Sequence, residues 1–595
     1  MPEYLAPGVF VEETSFRAKS IQGVGTSTTA FVGPTRKGPL GMASDVITSL
    51  SEFQRIYGGL ADMRIGGTAA PNYMAHAAKA FFDNGGGRLY VARTFTPADP
   101  ESGTDGTLQN NSASAAITAS DDSTVATLRA RAPGSGANGI IVAYQKLTPA
   151  TATTLNAAPV GSMVQTGGSG ASASYFVKDE ESEWQPESDS GTPLSLSSVP
   201  GDARLVTVNL DIRPGAVTVE DDAEGGPIVV EGLGFGEGHP RRLADAMPEN
   251  PGSRGQALSQ PYWIELENDT TAHALRDAMF NDEEGSVVYQ LTGGIDGAAS
   301  AATDDADDIV SYEDALAMLE EVGDVSIVAA PGSSAGSSMR AVHQVLISHA
   351  ERMKYRIAVL DTPPGRSVGD ARNDRAALDS KHAAMYYPWV VVANPAARPS
   401  DDTIPKEVLL PPSGFVCGIY ARTDAERGVW KAPANEVVRG ALRFEREVSR
   451  GEQEVLNPEG INCLRTFFGR GSRVWGARTI SSDPEWIYVN VRRYFNYVER
   501  SIDRSTQWAV FEPNGPALWS NISDTVTAFL FAEWRSGALL GATPEEAFFV
   551  RCDRSIMTQA DIDNGRLICE VGIAAIKPAE FVIFRIGQKT ADAAN

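Results

Sequence analysis

Three apolar runs decide the fold of the central part of the chain: VSIVAA at residues 325–330, RIAVLD at 356–361 and WVVVA at 389–393. Each run is apolar on both faces, and amphipathic helical patterns separate them. The helical pattern before the first run follows Ser311, and Asp314 completes a capping box. We therefore expect a mainly parallel sheet with helices covering both faces.

The segments before this sheet differ in character. Residues 1–95 begin with an extended arm and carry the strand-like runs TTAFVGP at 28–34 and RLYVAR at 88–93, with a helical pattern between them. They predict a compact α/β unit. Residues 97–290 are rich in Ser, Thr, Ala, Gly and acidic residues, with short β-like runs between turns. They predict a β-rich insertion.

Beyond residue 480 the chain alternates strand-like and helical patterns again. Strands are predicted at 486–492, 508–511, 548–553 and 567–576, and a long helix at 517–539, whose apolar stripe is typical of core packing. A last strand-like run contains Phe581, Val582, Ile583, Phe584, Arg585 and Ile586.

Two apolar runs near the chain ends need a partner. No hairpin partner follows the 581–586 run, and an unpaired strand edge promotes aggregation unless it is covered. Val9, Phe10 and Val11 form a similar short run near the start. Both runs can pair within the chain, or they can add to a sheet of a neighbouring subunit. Because donor and acceptor surfaces differ, strand addition would give a heterologous interface that propagates as an open helix.

The charge of the chain is concentrated in one segment. The 595 residues include 76 acidic and 51 basic side chains, which gives a net charge of −25. Residues 97–310 contain 33 of the acidic and 10 of the basic side chains, so the rest of the chain is close to neutral. This balance argues against a protein whose whole surface binds nucleic acid or an anionic membrane.

Cysteine content and the N-terminal sequence bear on the cellular compartment. The four cysteines include no C-x-x-C pair, which favours reduced thiols over a disulfide framework or a zinc site. The opening residues do not have the pattern of a signal peptide, and no apolar run reaches the length of about 18 residues that a membrane span needs. We therefore expect folding in a reducing compartment, without a membrane-spanning helix.

One motif suggests an enzyme. Gly332-Ser333-Ser334-Ala335-Gly336 fits G-x-S-x-G between a predicted strand and a predicted helix, so Ser334 is a candidate nucleophile. Asp361 and His382 would complete the triad within about 50 residues, which is a short span for such a sheet. A glycine-rich loop matches this pattern easily, and an aspartate such as Asp361 often caps a turn. The sequence contains no metal, cofactor or nucleotide motif.

Several ordered blocks carry a more specific signal. The opening contains YLAPGVFVEE at 4–13 and TAFVG at 29–33. The last third contains PPSG at 411–414, GVWKAPAN at 428–435, NPEGIN at 457–462, VWGART at 474–479, YVNVRR at 488–493, QWAVFEPN at 507–514, TPEEAFFV at 543–550 and KPAEFVI at 577–583. Together these blocks resemble the sheath proteins of contractile phage tails and extracellular contractile injection systems. The resemblance covers about 1–95 and 290–590 and is weak across the acidic segment.

The resemblance implies a structural protein with no catalytic, cofactor-binding or metal-binding residues. In this family, subunits stack as six-membered rings around an inner tube, and strands from both chain ends join sheets of neighbouring subunits. Carried over to this chain, Val9, Phe10 and Val11 form one donated strand and residues 581–586 form the other. Contraction of a kinetically trapped sheath drives the tube through a target envelope. The helix that ends at Arg535 is the expected tube-facing element, because release favours charge pairs over an apolar patch.

The domain organisation implied in this way is an α/β and α+β multidomain fold. An inner domain is built from the N- and C-terminal segments, and it is accompanied by an α/β middle domain and a β-rich, acidic outer insertion. The expected boundaries are 1–25 for the N-terminal arm, 26–96 for the first part of the sheath core, 97–290 for the insertion, 291–475 for the middle domain, 476–578 for the C-terminal inner domain and 579–595 for the C-terminal arm strand.

The expected partners are further copies of the chain in a helical sheath, an inner tail tube protein, and baseplate and tail terminator proteins. Neither direct nucleic-acid binding nor membrane insertion is expected. Assembly would take place in a bacterial or archaeal cytoplasm, before incorporation into a virion tail or release as an injection particle. The single chain favours these types over a two-chain type VI sheath. The alternative is a serine hydrolase, in which Ser334→Ala would abolish turnover, whereas a sheath would still assemble.

Overall fold

The structure is a computed structural model that describes residues 20–97, 111–168, 172–187, 191–280, 285–303, 310–398 and 404–585. The chain divides into two compact units. The larger unit comprises residues 26–426 and 433–489, and the smaller unit comprises 1–25, 427–432 and 490–595. Of the predicted donor residues, Val9, Phe10, Val11 and Ile586 lie outside the described residues.

An eight-stranded sheet, the central sheet, lies in the larger unit. Its strands follow the order Glu436–Val437, Gly471–Val474, Ile461–Phe467, Ala383–Tyr387, Ile357–Asp361, Ile327–Ala329, Thr29–Gly33 and Leu89–Arg93. The last six strands in this order are parallel to their neighbours, and the first two complete one edge in antiparallel pairing. The prediction of a mainly parallel sheet is therefore confirmed.

Helices cover both faces of the central sheet, because alternate strand residues contribute to two separate apolar clusters. Phe31 and Val359 belong to one cluster, whereas Val32 and Leu360 belong to the other. The helices that contribute to the first cluster are Leu50–Tyr57, Tyr73–Asp83 and Ser413–Arg427. Those that contribute to the second are Tyr312–Ala317, Met339–Met353, Val368–Ala376 and Arg450–Leu456. The predicted capping box of Ser311 and Asp314 begins the first helix of this second group.

The prediction that residues 389–393 form a strand of the central sheet is wrong, because this strand belongs to another sheet. Val390–Ala393 pairs antiparallel with Glu407–Leu410 and Ala441–Phe444 in a separate three-stranded sheet. The parallel position is taken by Ala383–Tyr387, all five residues of which are buried. This strand escaped notice because it contains no β-branched residue, whereas the neighbouring valine run has the composition of a typical strand.

The insertion forms two antiparallel sheets, in agreement with its β-rich composition. The larger has the path Trp184–Pro186, Ser174–Lys178, Met163–Thr166, Arg204–Pro214, Gly139–Pro149 and Ser286–Leu291, with Ile228–Leu233 also paired to Arg204–Pro214. The smaller has the order Tyr262–Leu266, Thr124–Ala130 and Ser114–Thr118. Short helices accompany them at Ala152–Ala157, Leu243–Ala246, Arg254–Ser259 and Ala272–Phe280, and a two-stranded ribbon of Met63–Ile65 and Thr68–Ala70 lies elsewhere in the unit.

Buried polar contacts join the insertion to the central sheet. The guanidinium of Arg93, on the edge strand of the central sheet, donates to the carbonyl oxygen of Pro133 at 2.7 Å. The carboxylate of Asp296 accepts from the amides of Ser135 and Arg64, each at 2.8 Å. Because Arg93 and Asp296 are both almost fully buried, breaking these contacts would leave buried hydrogen-bonding atoms of both charged groups unsatisfied.

The two ends of the insertion meet next to the central sheet. Phe95 pairs with Val310, and Thr96 pairs with Ala298, each through an isolated antiparallel bridge. The chain therefore leaves and re-joins the central sheet at neighbouring points.

Among its described residues, the smaller unit combines four α-helices with one two-stranded ribbon. The helices are Val489–Thr506, Pro516–Arg535, Pro544–Ala547 and Gln559–Asp563, and the strands are Phe548–Arg551 and Glu570–Ile573. The apolar stripe predicted for the long helix is buried in this unit, as expected for a core stripe. None of the described helices is long and apolar enough to cross a membrane.

Two strand predictions in the smaller unit are wrong. Residues 489–492 begin a helix, because their alternating polar residues are buried with polar partners rather than exposed on a strand. Asn490 donates to the carbonyl oxygens of Trp430 and Ile576 at 2.7 and 3.0 Å, and Arg492 donates to Asn496 at 2.7 Å. The predicted 508–511 strand corresponds instead to a short 3-10 helix, Gln507–Ala509.

The division between the units differs from the expected boundaries at 475 and 476. Residues 476–489 lie with the central sheet, since Ile480 donates to the Ala383 carbonyl at 2.9 Å and Asn462 donates to that of Arg478 at 2.7 Å. Residues 427–432 instead belong to the smaller unit, where Trp430 accepts the hydrogen bond from Asn490.

Candidate functional site

The first candidate functional site is the two-stranded ribbon of Phe548–Arg551 and Glu570–Ile573, here named the terminal ribbon. Its register pairs Arg551 with Glu570 and Phe548 with Ile573. Just beyond the strands, the amide of Ala574 donates to the carbonyl of Ala547 at 2.8 Å. Because hydrogen-bonded and non-hydrogen-bonded pairs alternate in an antiparallel ladder, the pairs 548/573 and 550/571 are non-hydrogen-bonded.

The backbone groups of these non-hydrogen-bonded residues point away from the partner strand. Val571 and Ile573 direct their N–H and C=O groups to one outer edge of the ribbon, and Val550 directs its groups to the other. Within the part of the chain that the structure describes, none of these three residues makes a backbone hydrogen bond across its outer edge. The terminal ribbon therefore has two open edges, and each can pair with a further strand.

The surface around the ribbon is apolar as well as open. Phe549, Leu540 and Ile568 are large apolar residues with exposed fractions of 44%, 64% and 39%. The ring of Phe549 crosses the opposite strand at Gly572, where a Cβ atom would lie 2.2 Å from a ring carbon. Glycine at position 572 is thus required for the ring to lie flat against the ribbon.

The C-terminal run that the sequence singled out has no described partner in this chain. Phe581, Val582, Ile583 and Phe584 lie outside helices and strands, and their side chains are 74%, 69%, 78% and 82% exposed. Arg585 is also exposed. Four consecutive large apolar side chains in water are unfavourable, at about 1.5–3 kcal/mol for each one that could be buried. This exposure leaves the run available for packing against a further segment.

Arg535, the remaining residue predicted from the sequence, lies at the end of the helix Pro516–Arg535. The inward face of this helix packs through Ile522, Val526 and Leu530, whereas Arg535 is exposed in its last turn. Next to it, the carboxylate of Glu533 accepts hydrogen bonds from the hydroxyl groups of Tyr494 and Tyr497, at 3.3 and 2.9 Å. Burial raises the pKa of Glu533, against the effect of both tyrosine hydrogen bonds.

The hydrolase triad does not form. Ser334 follows the carboxyl end of strand Ile327–Ala329, and Asp361 ends strand Ile357–Asp361, so both lie at one edge of the parallel sheet. His382 precedes the amino end of strand Ala383–Tyr387, and its Nδ1 lies 3.1 Å from the carbonyl oxygen of Arg356. Since a five-residue strand is about 16 Å long, His382 is at the opposite edge from Ser334.

The contacts of Ser334 and Asp361 are those of residues that stabilise the fold. The hydroxyl of Ser334 is buried and has no hydrogen-bond partner among the described residues. Asp361 accepts from the amide and the hydroxyl of Ser413, at 2.7 and 2.6 Å, and so caps the helix Ser413–Arg427. Burial raises the pKa of Asp361 to about 7, although both hydrogen bonds from Ser413 act to lower it. No group of three potential metal ligands occurs within the described ranges.

Sequence reasoning missed the acceptor side of this site. The apolar donor run was visible as consecutive letters, but open edges depend on register, which the sequence pattern does not contain. The one available signal was the short β-like run at 548–553 with a glycine in its partner strand, since glycine in a strand often marks a close approach.

Two family models match the chain. The phage tail sheath protein central domain matches residues 308–480, and the phage tail sheath C-terminal domain matches residues 481–589. A Pseudomonas aeruginosa protein described as a prophage major tail sheath protein is 27% identical over 269 residues, which are 44% of this chain and 64% of that protein. The match thus spans less than two thirds of the length of this relative.

Solved structures give similar matches. One chain of the sheath complex of the extracellular contractile injection system PVC, in its contracted state, is 36% identical over 45% of this chain and 71% of that chain, with a TM-score of 0.40. The helical sheath of the anti-feeding prophage in its contracted state is 22% identical, and the match covers 98% of this chain and 99% of that chain with a TM-score of 0.51. The second match shows a shared fold over nearly the whole chain.

Proposed function

Because the chain belongs to the contractile tail sheath family, we propose that it is the repeating subunit of a sheath that surrounds an inner tube and contracts to drive this tube through a target envelope. In the proposed assembly the subunits form stacked six-membered rings. The protein acts through assembly and rearrangement rather than through catalysis.

The observation that carries the proposal is the combination of an open acceptor and an unpaired donor in one chain. The terminal ribbon has free backbone groups at Val571 and Ile573, and the 581–584 run exposes four apolar side chains. Strand addition satisfies both, since it forms main-chain hydrogen bonds and covers apolar side chains at once. A donor and an acceptor on different surfaces give a head-to-tail contact, which can extend into a helical assembly.

In the proposed sheath, residues 581–586 add to the terminal ribbon of a neighbouring subunit, and Val9, Phe10 and Val11 supply a second donated strand. Main-chain pairing depends little on the packing between rings, so the connections can persist while subunits rotate during contraction. The two open edges of the ribbon suit two donors.

The tube-facing surface in this proposal is the exposed side of the helix Pro516–Arg535. Its exposed residues are Pro516, Ala517, Ser520, Asn521, Asp524, Thr527, Ala528, Phe531, Ala532 and Arg535. Only Asp524 and Arg535 among them are charged, so the surface offers few and specific ion pairs. Such a surface is compatible with release, because exposed ion pairs contribute little binding energy. Arg535→Glu, compared with Arg554→Glu outside this helix, should reduce co-sedimentation with the tube protein of the same particle.

The acidic insertion is assigned to the outside of the sheath. Residues 97–310 carry 33 acidic and 10 basic side chains, and a narrow inner surface would bring these charges close together around the tube. Baseplate and tail terminator proteins are the further partners in this proposal. The particle would assemble in the host cytoplasm and act as part of a virion tail or of a released injection machine.

The decisive experiment removes the apolar character of the donor run. Phe584→Asp should prevent the formation of striated cylinders in negative-stain microscopy and leave folded subunits that sediment as monomers. The matched control is Phe468→Asp, because Phe468 is fully exposed at a hairpin tip of the larger unit. Circular dichroism melting should be unchanged in both variants. Cylinders of Phe584→Asp at wild-type yield would contradict the proposal, and so would an equal loss in the control.

A further inference from the structure

Two cysteines face each other at one end of the terminal ribbon. Cys552 directly follows strand Phe548–Arg551, and Cys569 directly precedes strand Glu570–Ile573. The register ends with Arg551 paired to Glu570, so Cys552 and Cys569 are the two residues that flank this last pair of the ladder. Each thiol group affects the pKa of the other, so the two side chains are close neighbours.

The phase of the ladder gives this pair a favourable backbone separation. Arg551 and Glu570 form a hydrogen-bonded pair, so continuing the alternation by one residue gives Cys552 and Cys569 the phase of a non-hydrogen-bonded pair. The Cα atoms of such pairs are about 4.5 Å apart. Disulfides span Cα separations of about 4.4–6.8 Å, so a bond needs no large backbone movement.

We propose that Cys552 and Cys569 form a redox-active pair that is a dithiol in a reducing compartment and closes to an intrachain disulfide in an oxidising one. The inference goes beyond the proposed sheath function and does not depend on it. The bond would close the segment 553–568 into a loop and fix one end of the terminal ribbon.

The reaction is a thiol–disulfide exchange with a small-molecule disulfide such as oxidised glutathione. The thiolate of Cys569 attacks one sulfur of glutathione disulfide, and one glutathione leaves as its thiolate. The thiolate of Cys552 then attacks the sulfur of Cys569 in the mixed disulfide, and the second glutathione leaves. Two protein thiols are oxidised and one glutathione disulfide is reduced to two glutathione molecules, which take up the two protons.

Exposure and proton affinity set the order and pace of these steps. Cys569 is half-buried and Cys552 is buried, so the external oxidant reaches Cys569 first. Burial raises the pKa of Cys552 to about 12 and also raises the pKa of Cys569. Since the thiolate is the nucleophile, the exchange should be slow at neutral pH and faster near pH 9.

The other two cysteines provide internal controls. Cys417 and Cys463 are both buried in the larger unit, on a helix and on a strand of the central sheet. The sulfur of Cys463 lies 3.9 Å from the carbonyl oxygen of Ile461. An intrachain disulfide should therefore form between Cys552 and Cys569 and leave both core thiols intact.

The test uses the full-length protein, purified with a reductant and then incubated with oxidised glutathione at pH 9. After denaturation, the free-thiol count should fall from four to two, and the intact mass should fall by about 2 Da. Trypsin cleavage at Arg551, Arg554, Arg566 and Arg585 should release peptides 552–554 and 567–585 joined by a reducible bond.

Matched variants keep the proposal falsifiable. Cys569→Ser should prevent the mass loss, whereas the double variant Cys417→Ser, Cys463→Ser should retain the 552–569 cross-link even if its stability is lower. Three results would overturn the proposal: a stable glutathione adduct on Cys569 without cross-linking, a disulfide between two chains, or oxidation of Cys417 or Cys463 before the ribbon pair.

Discussion

The replacement Val571→Pro tests strand addition at the level of a single hydrogen bond. The N–H of Val571 points to the outer edge of the terminal ribbon and takes no part in the ladder within it. Proline therefore removes an outward donor and leaves the internal ladder intact, whereas the control Val571→Thr keeps the donor and the branched side chain.

The expected magnitude follows from the groups at this edge. Val571 and Ile573 offer two donors and two acceptors, and a net value of about 1 kcal/mol for each hydrogen bond gives roughly 4 kcal/mol for the added strand. Losing one donor, with a carbonyl of the added strand left unpaired, should cost about 1–1.5 kcal/mol. Since about 1.4 kcal/mol corresponds to a factor of ten, the critical concentration for polymerisation should rise roughly tenfold.

Sedimentation of cylinders over a series of protein concentrations measures this quantity directly. Val571→Thr should assemble at the wild-type concentration, and circular dichroism should show that Val571→Pro subunits are folded. Val550→Pro probes the opposite edge in the same assay. Wild-type critical concentrations for both proline variants, with folded subunits, would refute the assignment of the terminal ribbon as the acceptor.

Three further predictions concern the interior. Ser334→Ala should leave assembly unchanged and should not lower the unfolding temperature, because the buried Ser334 hydroxyl has no hydrogen-bond partner among the described residues; a lower unfolding temperature would contradict this. Asp361→Asn tests the pKa of about 7: because the buried carboxyl binds its proton more tightly in the folded state, its contribution to stability is complete below pH 4 and is lost as pH rises through 7. In urea unfolding, the stability of the wild type relative to Asp361→Asn should fall by on the order of 3 kcal/mol over this interval, and a constant difference would refute the assignment. Gly572→Ala should lower stability by roughly 1–2 kcal/mol, because the new Cβ meets the Phe549 ring, and Phe549→Ala in the same chain should recover part of the loss in thermal unfolding.

Local patterns predicted the elements that form from neighbouring residues. The capping box at Ser311 and the buried strand at 357–361 were recognisable because a few adjacent side chains determine them. The pairing of Thr29–Gly33 with Ile327–Ala329 was not recognisable from the sequence. About 300 residues separate these strands, and their sequences contain no pairing information. The failure at 389–393 has the same origin, because two apolar runs competed for one position in the sheet.

The candidate site shows a similar division. The donor run at 581–584 is apparent from its composition, whereas the open edges of the terminal ribbon follow only from its register. The serine motif was misleading for a geometric reason: a pattern of five letters says nothing about which edge of the sheet holds His382. The opposed cysteines are 17 positions apart in the sequence and become neighbours only because a hairpin aligns them.

The meeting of both insertion ends beside the central sheet has a consequence for how such chains diversify. Because Thr96 pairs with Ala298, sequence added or removed between these points changes little in the path of the remaining chain. A replacement module must still offer a carbonyl oxygen to the buried guanidinium of Arg93, as Pro133 does. The insertion can therefore evolve, or be engineered as a display site, separately from the central sheet.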